Sequence, residues 1–216
     1  MMMTPSMSVS EVDTTRDRLL EAAVQLFAAR GFRGASLREL AEAVGITPPA
    51  LYNHFSSKEA LYRAAVRETF ERSGGRLLAA LQTQRPPMER LREFLRELAT
   101  ETRERTDFRH LLMRELLDGD REHLEFLARQ VFDPVMEPLM ELVRELSPRD
   151  DAFLVAMMII GIVKQCSDMM VLQPCSRLDE EGDRNPQQIA DQALRLIGPH
   201  FSVINGKSEP NREIAR

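Results

Sequence analysis

The chain has no tryptophan, and only two tyrosines and two cysteines among 216 residues. Val, Ile, Thr and aromatics are few beside Ala, Leu, Arg and Glu. No stretch alternates apolar and polar residues between Asn-Gly or Asp-Gly turns, so a β-sheet of consequence is excluded. Cys166 and Cys175 form no CxxC pair, and His54, His110, His123 and His200 are scattered without metal-ligand spacing, which argues against a metal centre or a thiol redox motif. A buried thiol and a loop thiol are expected instead. There is no GxxxxGKS/T, HExxH or GxSxG string and no paired ExxH set, so nothing marks an enzyme and no cofactor is implied. The first residues, MMMTPSMSVSEVD, lack a charged segment followed by an apolar one, so 1–13 reads as a disordered tail and not a signal peptide. The longest apolar stretch, 152–163, meets Lys164, Gln165 and Asp168 too soon to span a bilayer of about 30 Å. No membrane partner and a cytoplasmic location are expected.

What the chain does have is concentrated in SLRELAEAVGITPPALYNHFSSK, residues 36–58. Ser36 can cap a helix that carries Leu37, Leu40, Ala41 and Val44 at 3.6-residue spacing, and Gly45 supplies a sharp C-terminal turn. Thr47 then caps a second helix with Pro48 at its first position, where the missing N–H costs nothing, and with Leu51 and Phe55 facing inward. Thr47, Pro48, Pro49, Ala50, Asn53 and His54 are left pointing outward. Two short helices about a tight turn form a helix-turn-helix, whose second helix lies in the major groove. The formal charge of -5 is unevenly spread: residues 14–67 hold eight Arg and Lys against five Asp and Glu.

The segment from Thr14 to about Arg67, with LF, GF, the turn at AVGI and LYNHFSSKEAL in one register, resembles the DNA-binding domain of TetR-type (TetR/AcrR) transcriptional regulators over a quarter of the chain. The resemblance implies a ligand-responsive, DNA-binding regulator, most often a repressor, that is no enzyme. It implies an all-α fold of about nine helices, with the DNA-binding domain over 14–60, a larger C-terminal effector-binding and dimerisation domain over 61–204, and a disordered tail over 205–216. The partners implied are a double-stranded DNA operator, a small-molecule effector, and a second copy of the chain through 148–172 and 186–200.

Residue roles follow by position. Ser36, Tyr52, His54 and Lys58 suit phosphate oxygens, which set register without reading sequence. Arg38 is the expected base reader, able to make a bidentate contact with guanine O6 and N7. Thr47, Pro48, Pro49 and Asn53 complete the DNA-facing set, and the two prolines offer only apolar contact. Tyr52 could equally pack inward, and His54 could be an inert surface residue.

Beyond the DNA-binding segment, Leu61, Ala65, Phe70, Leu77 and Leu81 mark a fourth helix from Ser57 to Arg85, with Gly74 and Gly75 in its middle. The pair serves as a hinge or permits close packing, since each glycine costs up to about 1 kcal/mol there. Further helices are expected over 88–105, 107–117, 121–146 with a break near Pro138, 148–172, and 186–198 ending at Gly198-Pro199. The helix over 152–163 is apolar nearly all round and must be covered by a partner copy or by its own subunit. Lys164 and Asp168, four apart, can pair. For the effector, Met113, Met136, Met140, Gln165, Cys166 and Met169 are the expected lining, with methionine serving equally as core filler.

Overall fold

The computed structural model describes residues 15–175 and 184–205. The expected tails lie outside these residues except for Asn205, which ends the last helix. Ten α-helices and no strands occur among the described residues.

One long and two short helices make the head: α1 (Thr15–Gly34), α2 (Leu37–Val44) and α3 (Pro48–Tyr52). The boundaries are chemical. At Gly31, φ 71° and ψ 169° break α1 near its end. Ser36 and Glu39 form a reciprocal capping box at the start of α2. Gly45 closes α2 in the left-handed region at φ 76°, its N–H bonding Glu42 O at 3.1 Å while Ile46 N–H reaches Ala41 O at 2.9 Å. Thr47 caps α3, which is shorter than expected, so Phe55 lies beyond it but is still buried.

Helix α4 (Lys58–Leu81) runs unbroken through Gly74 and Gly75 and joins the head to the remainder. A Cβ on Gly74 would stand 2.6 Å from the Phe70 ring, which identifies close packing as the reason for this glycine. Two apolar cores share α4. Leu61, Tyr62, Ala65 and Val66 belong to the head's core, which also takes in Phe108 and Leu111 of α6 (Thr106–Asp118) and Phe126 and Leu127 of α7 (Arg121–Leu127). Leu77, Ala80 and Leu81 belong to a second core, built with α5 (Pro87–Glu104), α8 (Asp133–Leu146), α9 (Ala152–Met169) and α10 (Pro186–Asn205). The head is therefore seated on α6 and α7, which sequence spacing assigns to the other domain.

Three expected boundaries move. Pro138 sits inside an unbroken α8, and the irregularity falls earlier, in a π-helical turn over Ala128–Phe132 where Asp133 N–H bonds Ala128 O. Helix α9 starts at Ala152 because Asp151 accepts from the N–H groups of Phe153 and Leu154 at 3.0 and 3.1 Å, while Ser147 donates to Asp150 at 2.5 Å. Helix α10 continues through Gly198-Pro199, held by Gly198 against Met88 of α5 and by the buried Phe201.

The polar residues also fail to interrupt α9. With the 3-10 turns of Met170–Cys175 it forms a run that, by length and composition alone, could cross a bilayer. Its Ala156, Ile159 and Val163 lie in the second core, and Asp168 is ion-paired with Arg109, an arrangement suited to packing within protein. Cys166 and Cys175 are both exposed, so neither is the buried thiol expected.

Candidate nucleic-acid interface and effector region

On the head, Leu40, Ala41, Val44 and Leu51 point into the core and leave one outer face across the turn. Arg38, Thr47, Pro48, Pro49, Tyr52, Asn53 and His54 are all exposed on it. The Arg38 side chain is 81% exposed, with Nε 2.9 Å from Glu42 Oε1, so its terminal amines are available to a base edge. Thr47 Oγ1 accepts from Ala50 N–H at 3.4 Å, which leaves its hydroxyl hydrogen available to a phosphate. Tyr52 is 55% exposed and so does not pack inward.

Two of the side chains expected at phosphates also bond within the head. The Ser36 hydroxyl donates to Glu39 Oε2 at 2.9 Å, and this bond, with Arg30 adding to it, holds the Glu39 carboxyl below its ordinary range. Ser36 is thus a cap whose donor is occupied. Lys58 Nζ bonds Ala35 O at 2.9 Å and lies 4.6 Å above the Phe32 ring, so Lys58 braces the head from within.

Where α4, α6 and α7 meet α1 lies a cluster that sequence spacing does not indicate. His123 of α7 places Nδ1 2.9 Å from Glu115 of α6 and Nε2 3.1 Å from Glu59 of α4, while its ring stacks on Tyr62 at 4.6 Å and meets Phe32 edge-on at 4.5 Å. Burial pulls the imidazole pKa down, but hydrogen bonds to Glu115 and Glu59 outweigh it and the net shift is upward. A protonated ring donates to both carboxylates; a neutral ring can donate to only one. Because the folded-state pKa is raised, this contribution to stability is complete below the unfolded value of about 6.5 and is lost as pH rises through the folded value. The parent is therefore expected to lose melting temperature between pH 6 and 9 relative to a His123→Gln variant. Parallel curves for the two proteins in thermal melts would remove the cluster from the pH response. Arg114 of α6 reinforces the same seam, donating to Ala28 O and Ala29 O of α1 at 3.1 Å each.

The residues expected to line an effector pocket are not brought together. Met136 is 3% exposed and belongs to the second core, with Met140 packed against that core. Met113 is exposed on α6. Gln165 and Met169, two and six residues past the inward-facing Val163, lie on the outward side of α9, and Cys166 is exposed as well. Asp168 pairs with Arg109 of α6 and not with Lys164. A separate cavity of about 200 Å³ lies nearby, with Thr102, Arg109 and Ser167 in its wall. Arg109 could not be identified from sequence, because its partner stands 59 residues away.

Three comparisons bear on this architecture. Residues 19–65 match the family described as bacterial regulatory proteins, tetR family, and residues 87–198 match the C-terminal domain of the HTH-type transcriptional dual regulator CecR. The HTH-type transcriptional repressor KstR2 of Mycolicibacterium smegmatis (strain ATCC 700084 / mc(2)155) is 36% identical over 88 residues, covering 41% of this chain and 41% of the relative. The chain thus matches less than half the length of that curated relative. Among solved structures, a Clostridium perfringens putative fatty acid metabolism regulator aligns with TM-score 0.71 at 18% identity over 89% of this chain and 100% of the other. AibR, in complex with isovaleryl coenzyme A and operator DNA, aligns with TM-score 0.65 at 22% identity over 85% and 97%. The matched families and relatives are transcriptional regulators and not enzymes.

Proposed function

Because this chain belongs to the TetR/AcrR family of transcriptional regulators, we propose that it works as a homodimeric repressor that releases a palindromic operator in the cytoplasm when a small effector binds its C-terminal domain. The observation that carries the DNA-binding part is the exposed face shared by α2 and α3. It combines an available guanidinium at Arg38 with Thr47, Tyr52, Asn53 and His54, on a scaffold fixed by caps at both helices. Apolar contact from Pro48 and Pro49 to thymine methyl groups would supplement a direct readout centred on Arg38.

Dimerisation is supported by an exposed stripe on α9. Leu154, Met158, Gly161, Gln165 and Met169 recur every three or four residues, Leu172 continues the row in the 3-10 turns, and Leu196 is exposed on α10. Gln165 and Met169 then belong to a face that a second copy covers, and the effector lies elsewhere. A two-fold pair of heads calls for half-sites about 34 to 36 Å apart, or a multiple of that spacing. The relatives fit a reading in which DNA and ligand occupy one molecule, since AibR is described with both isovaleryl coenzyme A and operator DNA.

The test is a gel shift with the DNA upstream of the protein's own gene. Binding is expected to survive competitor DNA and to weaken steeply with salt. Arg38→Ala is expected to lose discrimination worth about 1 to 3 kcal/mol, a drop of roughly fivefold to 150-fold on the cognate site. A folded Arg38→Ala protein that binds as tightly as the parent would remove Arg38 from the readout.

A further inference from the structure

We propose that the cavity between α5, α6, α9 and α10 is the effector site, and that it takes a small carboxylate carrying a short apolar tail. This rests on the reading of the chain as a ligand-responsive regulator and gives that ligand a place and a chemistry. The polar wall consists of Thr102 and Arg103 of α5, Arg109 of α6 and Ser167 of α9. Of the two arginines that line the space, Arg103 donates through Nη1 to Arg184 O at 2.6 Å, which leaves Arg109 as the cation available to a ligand, and no carboxylate is among the lining residues. The opposite wall is apolar, formed by Met170, Val171 and Ile189.

The hydrogen-bond inventory sets the sign and shape of the ligand. Arg109 Nε and Ser167 Oγ are buried and have no hydrogen-bond partner. Buried polar atoms without partners are rare in folded proteins, and a missing water, ion or ligand is a recognised explanation. Both atoms can donate, and the Arg109 N–H can do nothing else. The Thr102 hydroxyl already gives its hydrogen to Leu98 O at 2.7 Å, so it contributes no further donor. Two orphaned donors beside an apolar wall suit the two acceptor oxygens of a carboxylate, admitted by a small adjustment of the two side chains. A cationic or purely hydrocarbon ligand would leave both donors unsatisfied.

Charge outside the wall points the same way. Asp168 engages Arg109 through Nη1 and leaves Nε unused. Lys164, one turn earlier on α9, is half-buried and lies close enough to feel both Asp168 and Arg109. Asp168 thus occupies the Nη1 side of Arg109 alone, and the Nε side is left for an entering carboxylate. A volume of about 200 Å³ limits the bound part to an acid head and a few carbons. A phosphate, with more acceptors and no tail, would leave the apolar wall unfilled.

Isothermal titration calorimetry of the full chain with propionate, butyrate, hexanoate and octanoate, each beside its amide, and with inorganic phosphate, decides the matter. At least one carboxylate is expected to bind at least tenfold more tightly than its amide and than phosphate. Arg109→Lys, which keeps the charge but removes the planar Nε–H, and Ser167→Ala are each expected to weaken that binding at least fivefold, with ligand-free melting unchanged for Ser167→Ala. The proposal is overturned if no acid in the series binds, if the amide or phosphate binds as well, or if Ser167→Ala and a folded Arg109→Lys bind like the parent. A gel shift on the same preparations separates the two readings. Specific operator binding without carboxylate binding removes the site and keeps the regulator, whereas carboxylate binding without operator affinity supports the site and removes the regulator.

Discussion

The double variant Leu154→Glu/Met158→Glu is expected to be a folded monomer that has lost tight operator binding. Both positions are exposed in the isolated subunit, at 52% and 63%, so the substitutions should leave the second core and the far-ultraviolet circular dichroism unchanged. In a two-fold dimer each glutamate appears twice on a face whose remaining members are Gly161, Gln165, Met169 and Leu172. Burying unpaired carboxylates in such an interface costs several kcal/mol per ion. A stable dimer needs about 800 Å² buried on each partner, and the exposed apolar residues of α9 with Leu196 of α10 are the surface proposed to supply it. Separated heads bind half-sites independently and forfeit the effective concentration that pairing provides, so operator affinity should fall by about a hundredfold or more at fixed salt. Light scattering on the eluting peak reads the mass, and titration of the operator reads the affinity. A variant that remains dimeric would move the interface off α9.

How far the sequence was legible depends on the distance over which each feature is determined. The helix-turn-helix was readable because its signals are local: Ser36 with Glu39, Gly45 in the left-handed region, Thr47 ahead of Pro48. The outward set around Arg38 followed from the same phase. The bond from Lys58 to Ala35 O was not legible because the two residues lie 23 apart; it engages one of three ammonium donors and leaves two for a phosphate. The helix expected from residue 148 starts later, because Asp151 offers two acceptor bonds to the following N–H groups and Ser147 is engaged by Asp150. Helix α10 passes Gly198-Pro199 because tertiary contact with Met88 and burial of Phe201 override a local stop signal. The methionines were ambiguous for a related reason: a flexible thioether suits core, cavity and interface alike, and only the fold distributes Met136 to the core and Met158 to the outer face. The cavity and the His123 cluster were invisible, since each is assembled from three or more helices.

Phe27→Ala is expected to cost about 3 to 5 kcal/mol, the range for emptying a buried aromatic site. Phe27 is fully buried in α1 and touches the Phe32 ring at 5.9 Å and the Tyr62 ring at 5.4 Å. Tyr62 in turn stacks on His123 and approaches Phe126 at 6.3 Å, so one ring in the head supports the surface on which α4 and α7 meet it. The site resists collapse around an alanine, because its walls are held independently by the Glu59–His123–Glu115 bonds and by Arg114 on the end of α1. Typical whole-protein stability is about 5 to 15 kcal/mol, so the loss is a large fraction of what holds the head. The loss should concentrate there, since the second core contains none of these residues. In urea melts followed by circular dichroism, the variant should show either a lower single midpoint or an early transition for the head ahead of the C-terminal helices. Operator binding should fall with the folded fraction of the head, while dimer mass, set by α9, should persist. A cost below about 1 kcal/mol would mean that the aromatic cluster is more adaptable than close-packed protein interiors are.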